Sequence, residues 1–596
     1  MKRSSSPPRK ARPAAQPPRA YSPGLVAAVT YQTFAILIAL GDITYLLRHY
    51  TRFPFGDHWA WLDGLYQHGL WATLFSQFNE HRLVIPGLWY FLDHRYFGST
   101  NTLLVIVTVL IQIGCILLLI APQWRPSGMP TPVRRVFMGF VVITMLWFIQ
   151  AENFFYPFSL CLSCANLGML ASFYLFSRLC AGDSRRAVWL WVGVLASALW
   201  ATFSYGHGML VWPVLLAAGL WLRLPPRRLA AVFVVMLCAL GVYFFHYKTP
   251  VQHANPLESL QRPIQVLQYA VLMIGLPFFP AGVRDAAVSS HFVSYAISVL
   301  GIMLAAVLLV RFAKTKPAER TREQVMYCSV LLFALGSGSI TALGRSHFPL
   351  WQALSGRYAP VPLLFWISLA ALITAYLSGA EVRFGAARPV WCALLILASL
   401  ATLPTQARMG RYMANRERQQ RAAALSVTVG VPDLARIAEE MSPRFDRILT
   451  VDRAATPFLG HSLFWRPEEA FLGTPLRDHF RLAPSADCMG FVDRVNLLPE
   501  PAQGARLLGW AWNARRGKAV DGIWIVGDQR IIRGLGITRI PRPDVAAAYS
   551  NGAIFSAGWI AYSRLPAQGS GALTVFASLD DGKSACPIGA PRVPAP

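Results

Sequence analysis

The stretch TLLVIVTVLIQIGCILLLIA, residues 102–121, runs for twenty residues without one charged side chain. A helix of about 20 apolar residues is long enough to cross the hydrocarbon core of a bilayer, which is about 30 Å thick. Apolar runs of about 16 to 22 residues recur from Leu25 onward and stop near Thr405. The sequence therefore predicts a multi-span α-helical membrane protein.

The composition supports the same class of protein. Of 596 residues, 55% are hydrophobic and only 14% are charged, a balance typical of membrane proteins. The formal net charge of +26 would suit a nucleic-acid partner. Because the Lys and Arg residues lie mostly in short loops between apolar runs, they indicate the cytoplasmic face instead, and nucleic acid is not expected as a partner.

The basic loops predict a topology with the N-terminus in the cytoplasm. Residues 1–24 are basic and Pro-rich, as in a disordered tail. Residues 25–405 then hold about eleven spans, with residues 48–101 as the first outer loop. The Pro-interrupted segment Val266–Pro280 is short for a span and is predicted to be re-entrant or interfacial. This count places residues 406–596 outside the cytoplasm.

The region after the last span changes character. Residues 406–487 predict helices in a mixed region, whereas residues 488–596 contain short β-branched and aromatic runs separated by turn residues, which predict a small β-sandwich. Cys488 and Cys586 are the only cysteines of this second part. We expect them to form a disulfide, which requires an oxidising compartment and so agrees with the topology.

The first outer loop contains FGDHWAWLDGLYQHGLWATLFSQFNEHRLVIPGLW, residues 55–89, directly after the first span. Trp59, Leu62, Leu65 and Tyr66 recur at helical spacing, which predicts amphipathic helices in the interface with aromatic rings at headgroup depth. The charged residues of interest are Asp57, Asp63, Glu80, His81 and Arg82. Ionisable side chains gathered at one face of a membrane indicate a candidate site.

Two further outer segments carry polar residues to the same face. AENFFYPF, residues 151–158, contains Glu152, and GRSHFPLWQALSGRY, residues 344–358, contains Arg345, Arg357 and Tyr358. A carboxylate can take a proton from an acceptor hydroxyl while Arg and His stabilise a departing phosphate. A lipid-phosphate sugar donor needs such groups beside an apolar path for its prenyl tail.

Structural roles compete with these functional ones. Asp57 would sit at a helix N-cap, and Asp63 is better explained as a solvated helix-face residue. Residues 80–82 would also suit a solvated turn. Arg345 and Arg357 would also suit anchors at the headgroups of span ends.

The motif Phe55–Trp59 in the first outer loop, together with the NEHR run at 79–82 and the GR and GRY pairs of 344–358, resembles the GT-C class of polyprenyl-phosphate-dependent glycosyltransferases. The resemblance implies a GT-C-like core over residues 25–405 in a bacterial inner membrane, with a periplasmic C-terminal domain. It implies transfer of a hexosyl or pentosyl group from a polyprenyl-phosphate donor to an extracytoplasmic glycan or lipid-linked acceptor. A single displacement with inversion is expected.

The resemblance also assigns roles to the site residues. Asp57 is expected to be the general base, with Glu80 and His81 orienting substrate or sharing proton transfer. The residues expected to bind substrate or its phosphate are His58, Arg82, Glu152, Arg345, Arg357 and Tyr358. Members of the class often pair two acidic residues, but here His58 follows Asp57. No metal ligand or cofactor is therefore assigned, and dependence on a divalent metal stays open.

Two other functions fit the same composition. A lipid or glycan transporter would line a translocation path with these charges, and a non-catalytic assembly protein of the cell envelope would present the C-terminal domain. Transporters tend to bury charge near mid-membrane and to contain inverted repeats. Here the charges gather at one face and no repeat is evident, so an enzyme is favoured.

Overall fold

The computed structural model describes residues 22–124, 130–180, 187–249, 256–279, 292–378, 387–499, 503–565 and 572–591. Residues 1–21 of the predicted tail lie outside the described residues. Pro280, the last residue of the segment predicted to be re-entrant, also lies outside them. The helices of the first half are α1 Pro23–Arg48, α2 Asp57–His68, α3 Leu70–Phe75, α4 Val84–Phe97, α5 Thr102–Ile120, α6 Thr131–Met145, α7 Ala151–Phe155, α8 Leu160–Cys180, α9 Ala187–Thr202, α10 Val211–Trp221 and α11 Pro226–Phe244.

The chain continues with helices into the C-terminal region. These helices are α12 Pro256–Ser259, α13 Pro263–Gly275, α14 Phe292–Lys314, α15 Arg322–Arg345, α16 Pro360–Ser378, α17 Ala387–Leu400, α18 Leu403–Val429, α19 Leu434–Glu440, α20 Phe445–Leu459, α21 Leu476–His479 and α22 Pro543–Ala548. The strands are β1 Arg481–Leu482, β2 Cys488–Leu497, β3 Gly504–Asn513, β4 Lys518–Ala519, β5 Gly522–Val526, β6 Ile532–Ile540, β7 Gly558–Arg564, β8 Thr574–Leu579 and β9 Ser584–Gly589.

The prediction of a multi-span helical membrane protein is confirmed. Within the described ranges, nine helical stretches are long and apolar enough to cross a membrane, and three shorter apolar ones accompany them. Pro263–Phe278, which covers most of the segment predicted to be re-entrant, is one of the shorter ones. In Phe292–Lys314 only 22% of the most apolar window is buried inside the protein, so most of its apolar side chains need a lipid environment.

Small residues let the membrane helices approach one another closely. A Cβ on Gly168 of α8 would lie 2.8 Å from the backbone nitrogen of Ala201 in α9. A Cβ on Gly139 of α6 would lie 2.6 Å from the ring of Tyr31 in α1. Such contacts are typical of helix pairs in membranes, where close van der Waals packing drives association.

The first outer loop folds into α2, α3 and α4; the helical spacing predicted the first two of these, and α4 is an additional helix. Trp59 and Trp61 are buried within the protein, at 0% and 1% exposure, instead of lying at headgroup depth. The reason is that α20 and the residues after it cover α2, and the Trp59 ring stacks on Phe464. Trp71 of α3, at 71% exposure, is free to meet the headgroup region.

The predicted N-cap role of Asp57 is wrong. The cap residue of α2 is Gly56, whose φ of 54° lies in the left-handed region that favours glycine, and Asp57 is the first helical residue. No side chain donates or accepts a cap hydrogen bond at this end of α2. The Asp57 carboxylate is therefore not used by the helix end.

The C-terminal strands form one continuous sheet where the sequence predicts a two-sheet sandwich. The strand order is β1-β9-β8-β5-β6-β7-β3-β2, and β4 pairs with β3. The predicted disulfide between Cys488 and Cys586 is present and joins β2 to β9, although five strands separate them in that order. The sheet therefore curls until its two sides meet, and the strand pattern alone did not show this closure.

Candidate functional site

A cavity of about 770 Å³ connects the outer loops with the membrane helices. Most of its wall is apolar and comes from helices that include α10, α11, α13, α15 and α16. The apolar lining residues are Leu162, Met209, Leu210, Pro213, Met236, Leu240, Phe244, Met273, Ile340, Leu343 and Val361. Phe244 and Ile340 are also about half exposed on the protein surface, so the cavity has an apolar rim among the membrane helices.

A tight turn places Glu80 in this cavity. The backbone nitrogen of Phe78 donates to the carbonyl of His81 at 2.7 Å, and the nitrogen of His81 donates back to Phe78 at 2.9 Å. Asn79 takes a positive φ of 51° between them, which Asn tolerates better than most residues. The turn fixes Glu80 and His81 side by side on the cavity wall.

Glu80, His81 and Arg345 form a connected polar cluster. Nη2 of Arg345 donates to Oε1 of Glu80 at 2.8 Å, and Nε2 of His81 lies 3.5 Å from the same oxygen. Nδ1 of His81 accepts a hydrogen bond from the backbone nitrogen of Gly206 at 3.2 Å. In the neutral ring the proton must therefore be on Nε2, where it faces Glu80.

Asp57 lies near this cluster but is not bonded to it. The residue is open to solvent on one side, and within the described chain its carboxylate makes no hydrogen bond or ion pair. Desolvation by the surrounding protein raises the pKa of Asp57, and the charge of Glu80 raises it further. Arg357, Arg447 and Arg345 act against this rise. The structure thus brings Asp57 within electrostatic range of the cavity cations without placing it in the cavity wall.

Arg357 and Tyr358 line the cavity as predicted residues of the last outer loop. The guanidinium of Arg357 lies over the ring of Tyr358, with 5.1 Å from Cζ to the ring centre. No carboxylate in the described part of the chain pairs with this guanidinium. Arg357 therefore offers an uncompensated cation to the cavity.

Glu152 holds the loop that carries Arg357. Its Oε2 accepts hydrogen bonds from Oγ of Ser355 at 3.1 Å and from the backbone nitrogen of Arg357 at 3.3 Å. A Cβ on Gly356 would lie 2.7 Å from the carbonyl oxygen of Ile149, in the turn just before α7, so the loop fits against this turn only with glycine there. Glu152 was predicted to contact substrate, but it does not line the cavity and positions Arg357 instead.

The predicted phosphate-binding role of Arg82 is not supported by its contacts. Its guanidinium is buried and donates to the backbone carbonyls of Phe75, Tyr243 and Phe245. These carbonyls lie at the C-terminal ends of α3 and α11, where helices leave acceptors unsatisfied and favour a cation. Arg82 therefore fixes the outer loop to α11, and it is not among the described residues that line the cavity.

His58 is also a structural residue in place of the predicted substrate contact. It is 1% exposed and lies beside the rings of Tyr90 and Phe158. Burial lowers the pKa of His58 to about 3, so the ring is neutral at physiological pH. A buried neutral imidazole packed against aromatic rings cannot reach a phosphate.

Two cavity residues escaped the sequence-based assignment of the site. The ring of Tyr205 lies against that of His81 in a tilted arrangement with 3.7 Å between ring centres, and His207 lines the cavity at 9% exposure. Nε2 of His207 has no hydrogen-bond partner among the described residues. Both belong to SYGHG, a Gly-rich outer turn with an aromatic and a titratable residue. The sequence shows the composition of this turn, but it does not show that the turn lies beside Glu80.

Asp63, expected to be a solvated helix-face residue, is half-buried and lies 3.5 Å from Nε of Arg447.

Metal dependence stays open. No group of three or more His, Cys, Asp or Glu residues among those described is arranged to hold a metal ion.

The chain matches no known family model, and no curated protein matches it. The features that describe it are nine apolar helical stretches long enough to span a membrane among the described residues, a C-terminal β-sheet region, and a cavity of about 770 Å³ with Glu80 and Arg345 in its wall.

Proposed function

We propose that this protein is a membrane glycosyltransferase of GT-C type that uses a polyprenyl-phosphate sugar as donor. The observation that carries this proposal is the cavity of about 770 Å³, whose apolar wall opens among membrane helices and which also holds Arg345 and Arg357. A prenyl tail suits the apolar wall, and a phosphate suits two guanidinium groups. The volume falls within the range of small-molecule sites, which hold about 300–1,000 Å³.

Arg345 and Arg357 have different roles in binding the donor phosphate. Arg357 has no carboxylate partner within the described chain, so it binds the phosphate without first breaking an ion pair. Arg345 is held by Glu80 at 2.8 Å, which fixes the guanidinium in one orientation. As the glycosidic bond breaks, negative charge grows on the leaving phosphate, and fixed cations stabilise it.

Asp57 acts as the general base in this mechanism. An acceptor hydroxyl gives its proton to the Asp57 carboxylate while its oxygen attacks the anomeric carbon. The bond from that carbon to the phosphate oxygen breaks, polyprenyl phosphate leaves, and the anomeric configuration inverts. The pKa of Asp57 is raised, which strengthens the carboxylate as a base near neutral pH. Glu80 and His81, already joined to Arg345, orient the sugar.

The proposed compartment follows from the C-terminal region. The Cys488–Cys586 disulfide favours an oxidising location, which for a bacterial inner-membrane protein is the periplasm. The acceptor would then be an extracytoplasmic glycan or a lipid-linked acceptor on the same side.

The test is transfer by the purified full chain in liposomes. A panel of polyprenyl-phosphate sugars is supplied with candidate acceptors, and released polyprenyl phosphate is measured. We expect release from at least one donor, and a rise in donor KM of roughly ten-fold or more for Arg357→Gln. Arg262→Gln, at an exposed arginine outside the cavity, should behave like wild type. Movement of the intact donor across the bilayer without release would contradict an enzyme and favour a transporter.

A further inference from the structure

A second cavity, of about 310 Å³, lies where α18 and the segment around Arg466 meet the C-terminal sheet. It shares no lining residue with the cavity described above. Its lining combines aromatic, cationic and hydroxyl side chains. They include Arg421, Arg466, Phe471, Trp524, Thr538 and Ser578.

Trp524 leaves an unsatisfied donor at this cavity. The residue is 5% exposed, and its Nε1 has no hydrogen-bond partner within the described chain. A Cβ on Gly522, which lines the cavity, would lie 3.6 Å from that nitrogen and 2.9 Å from Oγ of Ser578. Glycine at this position therefore leaves space beside the indole donor. A buried donor without a partner costs free energy unless a ligand or water accepts its hydrogen bond.

Arg466 is the more available of the two cations that line the cavity. In the part of the chain described, the Arg466 guanidinium has no hydrogen bond or ion pair, and Arg421 has only a 3.6 Å contact with Glu417. Desolvation lowers the pKa of Arg466, and Glu468 offsets this in part. An arginine shielded from water and left without an acceptor favours an anion beside it.

Two of the lining carboxylates already have partners. Asp521 accepts from Nζ of Lys518 at 3.2 Å and from the backbone nitrogen of Asp581 at 2.9 Å. Asp581 lies 3.5 Å from the same lysine and 4.0 Å from Nη1 of Arg516. These carboxylates keep acceptor capacity for hydroxyl groups, but their charge is balanced. The third lining carboxylate, Glu468, acts on Arg466 through its charge, and Arg466 is a cation of the lining without a hydrogen bond or ion pair in the described chain.

We propose that this cavity binds an acidic sugar, one that carries a carboxylate or a phosphate group. Arg466 and Arg421 take the anionic group, the indole nitrogen of Trp524 donates to a ring or hydroxyl oxygen, and Asp521 accepts from sugar hydroxyls. The cavity lies at the lower end of the size range for small-molecule sites, so it holds one sugar unit of a longer chain. The site does not depend on whether the membrane cavity transfers a sugar.

Calorimetric titration of the detergent-purified full chain tests the site. The probes are glucuronate, glucose 1-phosphate, glucose and inorganic phosphate. We expect one or both anionic sugars to bind, glucose and phosphate alone to bind at least ten-fold more weakly, and Arg466→Gln to weaken binding of the anionic sugar at least ten-fold. Arg494→Gln is the matched control, because Arg494 is exposed on β2 outside the cavity and should leave binding unchanged.

The outcomes separate the possible ligands. Tighter binding of glucuronate than of glucose 1-phosphate assigns a uronic acid, and the reverse assigns a sugar phosphate. Equal binding by inorganic phosphate alone, or by glucose, would overturn an acidic-sugar site. If Arg466→Gln fails to fold, Arg421→Gln replaces it, because Arg421 is 37% exposed and tolerates substitution better. Unchanged binding in a folded variant would also overturn the proposal.

Discussion

Asp57 differs from the other acidic residues of the outer site because its carboxylate makes no hydrogen bond or ion pair within the described chain. Glu80 is paired with Arg345, Glu152 accepts from Ser355 and the backbone of Arg357, and Asp63 lies beside Arg447. A general base must have a free lone pair when the acceptor arrives. Among these carboxylates, Asp57 meets that requirement best.

The raised pKa of Asp57 predicts the pH dependence of transfer. The base acts only when ionised, so the rate should fall as pH drops through a pKa that lies above the ordinary aspartate pKa of 3.8. Arg447→Gln removes a charge that lowers this pKa. We therefore expect the acidic limb of the rate profile to move to higher pH. Arg453→Gln, at an exposed arginine on the same helix, should leave the limb in place. An unmoved limb in Arg447→Gln would contradict the coupling.

Arg82 should matter for stability and not for donor affinity. Arg82→Ala leaves buried carbonyls at two helix ends without a donor, so we expect a loss of about 3 kcal/mol in the free energy of unfolding. Thermal unfolding in detergent and donor KM together check this. Arg95→Ala, on an exposed face of α4, should change stability by less than about 0.5 kcal/mol. A large rise in donor KM with normal stability would restore a phosphate-binding role for Arg82.

The sequence could identify charged residue types in the first outer loop but not the partners of each one. Arg82 and Glu80 stand two positions apart, yet one caps helix ends and the other pairs with Arg345. The difference arises from α11 and α15, which are more than 160 residues away along the chain. A single sequence carries no signal for contacts of that range.

At the scale of elements, the loop between α15 and α16 aims Arg357 at the cavity through close contact with α7. Gly356→Ala would push this loop from the Ile149 carbonyl, since the new Cβ would lie 2.7 Å from it. We expect transfer to fall roughly ten- to a hundred-fold, because small displacements of a phosphate-binding group are costly.

The control for this change is Gly241→Ala, where an added Cβ meets nothing within 4 Å. It should leave the steady-state transfer rate close to that of wild type. Equal losses in both variants would indicate a general effect of alanine on the fold. Full activity in Gly356→Ala would show that the loop does not need its close contact with Ile149.

The sequence predicted where helices and strands form better than it predicted which residues pack against them. Apolar length identified the spanning helices, and turn residues between β-branched runs identified the strands. The helical spacing of Trp59 and Leu62 predicted α2 correctly but assigned its apolar face to lipid. The covering residues lie in and after α20, and an apolar face looks the same in sequence whether lipid or protein covers it.

At the scale of the whole molecule, the C-terminal sheet is closed by a covalent bond between distant strands. Cys488 and Cys586 are 98 residues apart in sequence. In the chain-entropy model, a crosslink over about 100 residues stabilises a protein by roughly 4 to 5 kcal/mol. We expect a reductant to lower the unfolding temperature of the wild-type C-terminal region and to leave Cys488→Ala with Cys586→Ala unaffected. Equal shifts in both proteins would contradict a stabilising disulfide.

The charged residues of the loops gather at one end of an apolar cavity whose wall comes from the membrane helices. The sequence was sufficient to separate charged loops from apolar helices, because the charge and hydropathy of a segment depend only on its own residues. It was not sufficient for the curl of the sheet or for the buried state of His58, because both depend on packing between distant segments.

The most direct test measures polyprenyl phosphate released by Asp57→Asn and by Asp63→Asn under the same conditions. Both changes remove one carboxylate from α2, so they match in chemistry and location. If Asp57 is the base, Asp57→Asn should lose a factor of roughly 10² or more in rate with donor binding retained, while Asp63→Asn stays within a few-fold of wild type. Equal transfer by Asp57→Asn and wild type would contradict the proposed mechanism.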